Sequence, residues 1–450
     1  MSEEVLDKAG DYKLEALTIT SEGETYDISN FFIEMHIYED IYSPALSGTL
    51  MVADAINLIV SLPIKGDEIL TVKTRTPTLP DAPENIISQE YRIFSISDRS
   101  PNSDGSQFYV INFTSIENFN DNVKTISQTF TGTTNDVAIQ IFEDYIKVKK
   151  DLFVSDIPHK SKITYTSNFW TPFKNMRFIS KRVRGKTLQG ADYLFYESNK
   201  LFYFTSIEAL IKTQIDNGLF DEYVFERDSQ NIPRRESGFD FVGNTFPNKV
   251  TRIEKMAFKD NTNIIDSQIT GTLASSIYGY DLSTKKFVRR NIDWVEECKP
   301  FVRTDSGVPI PSETPRNPLS AVNFVMYNSS LYNSPTVGKY GITDNENLPS
   351  QMEAEFYSDR HLYRKSYLNL ATQNVFEIII PGRTDIQVGH LISILYPATA
   401  IADEETKNID TLFDPQLTGA YLITAIHHKF DADRHIMTAE VIRNGFRYDL

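Results

Sequence analysis

The chain has 450 residues and a mass of 51.4 kDa, with 40 % hydrophobic and 12 % aromatic residues. That is apolar surface for several cores, and it excludes disorder over most of the length. A formal charge of −16 opposes tight binding to phosphate backbones, which needs clustered Lys and Arg, yet it suits a surface that nucleic acid slides past.

From the N-terminus, the first hundred or so residues read as short strands broken by turns. They are Tyr12 to Thr20, Phe31 to Tyr38, Ser47 to Val52, Glu68 to Thr74, Glu90 to Ser97 and Gln107 to Thr114. Pro44, Gly48, Pro63-Ile-Lys-Gly66 and Pro101-Asn-Ser-Asp-Gly105 supply turn chemistry between them. This spacing points to a small barrel or sandwich. Near Phe130 the character changes. Thr134 is placed to cap a helix whose Val137, Ala138, Ile141, Phe142, Tyr145 and Ile146 share one face. Thr171-Pro172 signals a second helix, with Phe173, Met176, Ile179 and Val183 inward. Tyr193 to Glu197 and Leu201 to Thr205 read as a hairpin, and Ser206 to Lys212 as helix.

Farther on, Val250 to Phe258, Asn263 to Thr270 and Lys286 to Asn291 read as strands, Pro300 to Pro349 as long loops, and Gln351 to Leu370 as a helix. Strands and turns then run to the C-terminus. The organisation expected is mainly β with α+β parts, in two related small β-barrel domains. Residues 1–124 form the first and 226–294 with 371–450 the second, which is discontinuous. Residues 125–225 are an inserted α+β domain, and 295–370 an insert, loop-rich then helical.

The two barrels are paired because the end of the chain echoes its start. Gly66-Asp-Glu-Ile-Leu-Thr-Val72, Tyr91-Arg-Ile-Phe-Ser-Ile96 and Phe108-Tyr-Val-Ile-Asn-Phe113 come in one order. Gly389-His-Leu-Ile-Ser-Ile-Leu395, Tyr421-Leu-Ile-Thr-Ala-Ile426 and Ile436-Met-Thr-Ala-Glu-Val441 come in the same order. Two similar edge-bearing units in one chain can alternate around a closed ring, so three chains would present six units.

The run Phe31 to Gly48, then Leu50-Met-Val-Ala-Asp54 and Leu62-Pro63-Ile-Lys-Gly66, resembles the opening of central hub proteins from contractile phage baseplates. Trp170-Thr-Pro-Phe173, Tyr193 to Glu197 and Phe204 to Leu210 are similar to their second domain. Ile380-Pro381-Gly382, Val388-Gly389-His-Leu-Ile392, Leu417-Thr-Gly419-Ala-Tyr421-Leu-Ile423 and His428 resemble their second tube-like domain. The resemblance is to the T-even hub and, more distantly, to the hub portion of type VI secretion spike proteins. It covers the chain apart from about 295–350. It implies a homotrimeric, pseudo-six-fold ring joining a hexameric tail tube to a trimeric cell-puncturing spike. It also implies a tape measure protein nearby and DNA in transit through the lumen. No enzyme activity, cofactor or membrane insertion is expected. The implied location is the virion tail baseplate, after synthesis in the host cytoplasm.

His427-His428-Lys-Phe-Asp431-Ala-Asp433-Arg-His435 has metal-ligand residue types, with His427 and His435 placed to face each other across a hairpin. Adjacent strand residues point oppositely, however, and Asp431-Ala-Asp433 is ordinary turn composition, so no metal site is assigned. Glu39-Asp40 and Asp67-Glu68 offer paired carboxylates, which diverge on one strand. The basic stretch Lys174 to Lys186 reads as the wet face of a helix. Cys298, the single cysteine, reads as an incidental thiol in a chain folded in reducing conditions. No nucleophile elbow, phosphate loop or dinucleotide fingerprint occurs. The positions singled out are structural: Gly48, Pro63, Gly66, Pro381, Gly382, Gly389, Gly419 and Tyr421 at turns and strand starts.

Overall fold

A computed structural model describes residues 9–444 apart from 57, 62–63, 67, 78, 102–105, 156–161, 184–189, 219–220, 226–249, 261–262, 283–284, 286, 300, 305–313, 328–361, 372–373, 398–412 and 415. The first set of strands is β1 (Lys13–Ser21), β2 (Glu24–Asp27), β3 (Phe32–Asp40), β4 (Ser47–Asp54), β5 (Ile69–Arg75), β6 (Ile86–Pro101) and β7 (Gln107–Ser115). Their order is β3-β4-β7-β6-β5-β1-β2, antiparallel throughout. In β4 every second residue is buried, the pattern of a strand with one wet face. The buried side carries Leu17, Met35, Ile37, Leu50, Leu70, Tyr91, Ile111 and Phe113.

The middle α+β unit holds β8 (Ile126–Thr133), β9 (Leu152–Val154), β10 (Lys162–Trp170), β11 (Tyr193–Glu197) and β12 (Phe202–Ser206). Thr133, one residue before the expected cap, accepts from the Asp136 N–H and starts the helix Thr134–Ile141. Thr171 caps Pro172–Ser180, and Phe173, Met176, Ile179 and Val183 are buried as expected. β11 and β12 form the expected hairpin, and Ser206 caps the helix Ile207–Asn217.

Beyond it come β13 (Asp221–Phe225), β14 (Arg252–Ile253) and β15 (Lys255–Asp260). The strand expected at Asn263 to Thr270 is instead the helix Ile264–Ile269. Asn263 accepts from the Asp266 N–H at 3.2 Å, and this cap overrides the β-branched composition. β16 (Ala274–Asp281), β17 (Phe287–Asp293) and β18 (Val322–Tyr327) form a separate sheet, ordered β17-β16-β18. Residues on both sides of position 294 therefore share one sheet. Of the expected helix at 351–370, residues 351–361 lie outside the described residues; 362–371 is helical and buries Tyr363, Tyr367 and Leu370.

The last strands are β19 (Val375–Pro381), β20 (Leu391–Leu395), β21 (Gly419–Asp431) and β22 (His435–Ile442). They order as β15-β19-β22-β21-β20-β13, strand for strand the counterpart of β3-β4-β7-β6-β5-β1. The match extends to residues. Tyr91 pairs with Leu70, and Tyr421 with Ile392. A bulge falls two residues later in each copy, between Ile93 and Ser95 and between Ile423 and Ala425. Ile93 donates to the Glu68 carbonyl at 3.0 Å and Ile423 to the His390 carbonyl at 2.9 Å. The copies differ at one edge, where β1 runs antiparallel to β5 but β13 runs parallel to β20. Among the described residues the pairings form an open path rather than two closed barrels, because β21 continues onto β3 and merges both sets into one fourteen-stranded sheet.

Candidate assembly interface

β21 has 13 residues and serves two neighbours in turn. Residues 419–422 pair with β20; 425–431 pair with β3, from Ala425 opposite Asp40 to Asp431 opposite Glu34. On the core side of this seam Glu39, His428 and His435 are buried. His428 Nε2 lies 3.2 Å from Glu39 Oε1, and His428 Nδ1 lies 3.0 Å from His435 Nε2. Through its two ring nitrogens His428 thus bridges Glu39 on β3 and His435 on β22. Burial holds the His435 pKa well below its ordinary value. The turn Ser198–Lys200 of the middle unit plugs the same seam. Asn199 hydrogen-bonds Glu39 through its side-chain amide, and Lys200 Nζ donates to the Ile86 carbonyl at 2.7 Å. Burial lowers the Lys200 pKa to about 8. Sealed from solvent, this polar cluster offers no access for a substrate; its chemistry is that of a clamp.

The opposite face is open. Cross-strand partners lie in rows: Glu377, Glu440, Ala425 and Asp40 in one; Lys429, His36, Thr49, Asn112 and Ser95 in another. His36 Nδ1 meets His427 Nε2 at 2.7 Å, and Tyr38 stacks on His427 with ring centroids 4.7 Å apart. Burial, then the neighbouring His36, His428 and Lys429, push the His427 pKa down to about 4. Glu34 pairs with Lys429 at 3.1 Å and Glu440 with Lys259 at 2.6 Å, so this face is mixed in sign rather than strongly acidic.

Among the open sheet edges of the described residues, two lie on β6 and β15. β5 covers β6 only as far as Arg92, and among the described residues no strand lies beside that edge from Ser95 to Pro101. β15 pairs with β19 on one side and with no described strand on the other. Both edges expose large rings, Phe94 at 51 % and Phe258 at 55 %.

The positions singled out from sequence fall around these features. Gly48 is not a turn residue: it lies inside β4, where an added Cβ would overlap the Phe113 ring and the His36 carbonyl. Gly66 (φ 97°) and Gly389 (φ 85°) occupy the left-handed region at the starts of β5 and β20. Pro381 ends β19, and Gly382 packs against the His435 ring. Gly419 opens β21, and the buried Tyr421 donates to the Leu417 carbonyl at 2.7 Å. Pro63 and Asp67 lie outside the described residues. Glu68 accepts the N–H groups of Lys65 and Gly66, and Asp40 that of Tyr42, so these carboxylates hold turns. The expected approach of His427 to His435 does not occur. His428 and His435 share the core face and His427 the open one, because Phe430 is the residue opposite His435. Among the described residues no group of three or more His, Cys, Asp or Glu is arranged to hold a metal. Cys298 is buried. Lys174 and Arg182 lie over Trp170 and Phe178. Sequence reasoning missed the Asn199 plug and the Glu39–His428 contact, which spans 389 positions.

No family model matches the chain. No curated protein matches it either. Its fold is that of prophage tail proteins. The 43 kDa tail protein of prophage MuSo2 from Shewanella oneidensis superposes with a TM-score of 0.51 at 10 % identity, over 96 % of this chain and 98 % of that one. The tail protein from Neisseria meningitidis MC58 does so with a TM-score of 0.51 at 11 % identity, over 97 % of each chain. Prophage tail protein gp18 from Listeria monocytogenes EGD-e is a looser likeness, with a TM-score of 0.44 at 9 % identity over 96 % of this chain and 95 % of that one.

Proposed function

We propose that the chain is a structural hub of a contractile tail baseplate, without enzymatic activity, assembling as a homotrimeric pseudo-six-fold ring. The ring joins a hexameric tail tube to a trimeric spike, with the tape measure protein and the transiting DNA in its lumen. One observation carries this reading. The chain holds the same six-strand order twice, joins the two copies through β3 and β21, and leaves further edges open among the described residues. The likeness to two prophage tail proteins over nearly the whole chain supports it. The hub of a related injection or secretion apparatus would use the same geometry. A cell-wall hydrolase or carbohydrate-binding component would need an open acidic cleft, whereas the buried carboxylates described above act as hydrogen-bond acceptors within the fold.

Light scattering on the purified chain tests the proposal. A particle of three times the 51.4 kDa chain mass is expected. A monomer at every concentration tested, or clearing of peptidoglycan by the isolated protein, would refute it.

A further inference from the structure

The in-chain joint is a template for a joint between chains. Its two parts are the second half of β21 and the edge of β3. In the duplicated set β6 takes the place of β21, and β15 that of β3. Among the described residues both counterparts are uncovered edges.

The template also fixes a register. Through their shared partners on β7 and β22, Ser97 corresponds to His427 and Ser100 to Lys429. Through β4 and β19, Asp260 corresponds to Tyr38 and Ala257 to His36. Because Tyr38 faces His427 and His36 faces Lys429 within the chain, Ser97 must face Asp260, and Ser100 must face Ala257, in the other copy. Each of these edges departs from its counterpart by one extra residue. On β6 it falls between Ser97 and Ser100, where Asp98 takes φ 52°; on β15 it falls between Phe258 and Asp260. The two insertions coincide and cancel, so an unbroken antiparallel ladder results. It sets Asp98 opposite Lys259 and Arg99 opposite Phe258. Opposite charges and a cation facing a ring are favourable cross-strand pairs. Asp98, Arg99, Phe258 and Lys259 are all exposed in the single chain.

We infer that Ser95–Pro101 of one copy pairs with Lys255–Asp260 of a second copy of this chain, in the register of β21 on β3. The contact is head-to-tail, so each chain gives one edge and receives the other. This inference rests on the ring proposed above, supplying its surfaces and register. Strand addition of this kind covers edges that otherwise invite indiscriminate pairing.

The test is a chain carrying Asp98→Cys with Lys259→Cys, oxidised under native conditions; Cys298 is buried and stays. Directly opposed strand residues lie within disulfide reach. Covalent dimer and trimer bands are expected from the double variant, and neither single variant gives a trimer band. In parallel, Asp98→Lys or Lys259→Asp alone is expected to raise the concentration needed for trimer about tenfold, by setting like charges opposite, and the combined swap to restore it. A wild-type trimer by light scattering whose double-cysteine variant fails to cross-link overturns this register while leaving the ring intact. A charge swap that does not rescue the single variants also counts against the register. A wild-type monomer overturns the ring itself.

Discussion

Phe113 lies across Gly48 in the core of the first set, and the His36 carbonyl closes the same space from the neighbouring strand. Gly48→Ala forces one of them to move, at a cost of about 2–3 kcal/mol typical of overpacked cores. Thermal or urea unfolding should show that loss, and pairing it with Phe113→Leu should cost less than the sum of the single changes. His427 carries a pH dependence of definite sign. Its folded pKa of about 4 lies below the ordinary value of 6.5, so between these values the unfolded chain binds a proton that the folded chain does not. Stability therefore falls as pH drops from about 6.5 towards 4. Water reaches part of the ring and reduces this contribution to roughly 1–2 kcal/mol. Urea unfolding across that range should show a shallower slope for His427→Gln; an unchanged slope would contradict the assignment. The buried His435 shifts in the same direction and preserves the remainder of the slope.

Helices begin where a side chain satisfies the free N–H groups of the first turn. Ser206 accepts from the Ala209 N–H at 3.1 Å, and the helix it starts places Glu208 against the Gly190 and Val302 N–H groups. Ser206→Ala should cost about 0.5–2 kcal/mol in chemical denaturation. The cap at Asn263 explains why a run of isoleucines became helix. Ile265 and Ile269 are each 67 % exposed, so burial on a sheet supplied no competing gain. Paired bulges have the opposite effect from a cap, re-aiming a strand so that its second half meets a new neighbour. In β21 that neighbour is β3. In β6 the matching half stands open, guarded by Asp98, Arg99 and Pro101, residues that disfavour indiscriminate edge pairing.

At the scale of the whole molecule the seam is what makes two sets into one body. Glu39, His428 and His435 hydrogen-bond across it beneath the sheet, and Asn199 ties the middle unit to the same carboxylate. A chain that makes one joint internally needs only one further joint per copy, and in the proposed ring three copies would close six similar sets. The expected trimer mass and the expected cross-link are two readings of that arithmetic. Obligate contacts bury roughly 2,000 Å² or more, so in the proposed ring the edge ladder would be one part of a larger interface.

Much of this was legible in the residues themselves. Strand-forming runs broken by turn residues placed the strands of the first set, Thr171-Pro172 marked the helix that follows it, and the order of Gly-led and Tyr-led strands pointed to the duplication. Those signals are local, because burial period and capping act within a few residues. Periodicity states which face a side chain takes but not which strand lies alongside. The Glu39–His428 contact, the plug at Asn199, the packing role of Gly48 and the continuation of β21 onto β3 therefore required the tertiary structure. Each depends on segments far apart in the chain that meet only when the two cores form.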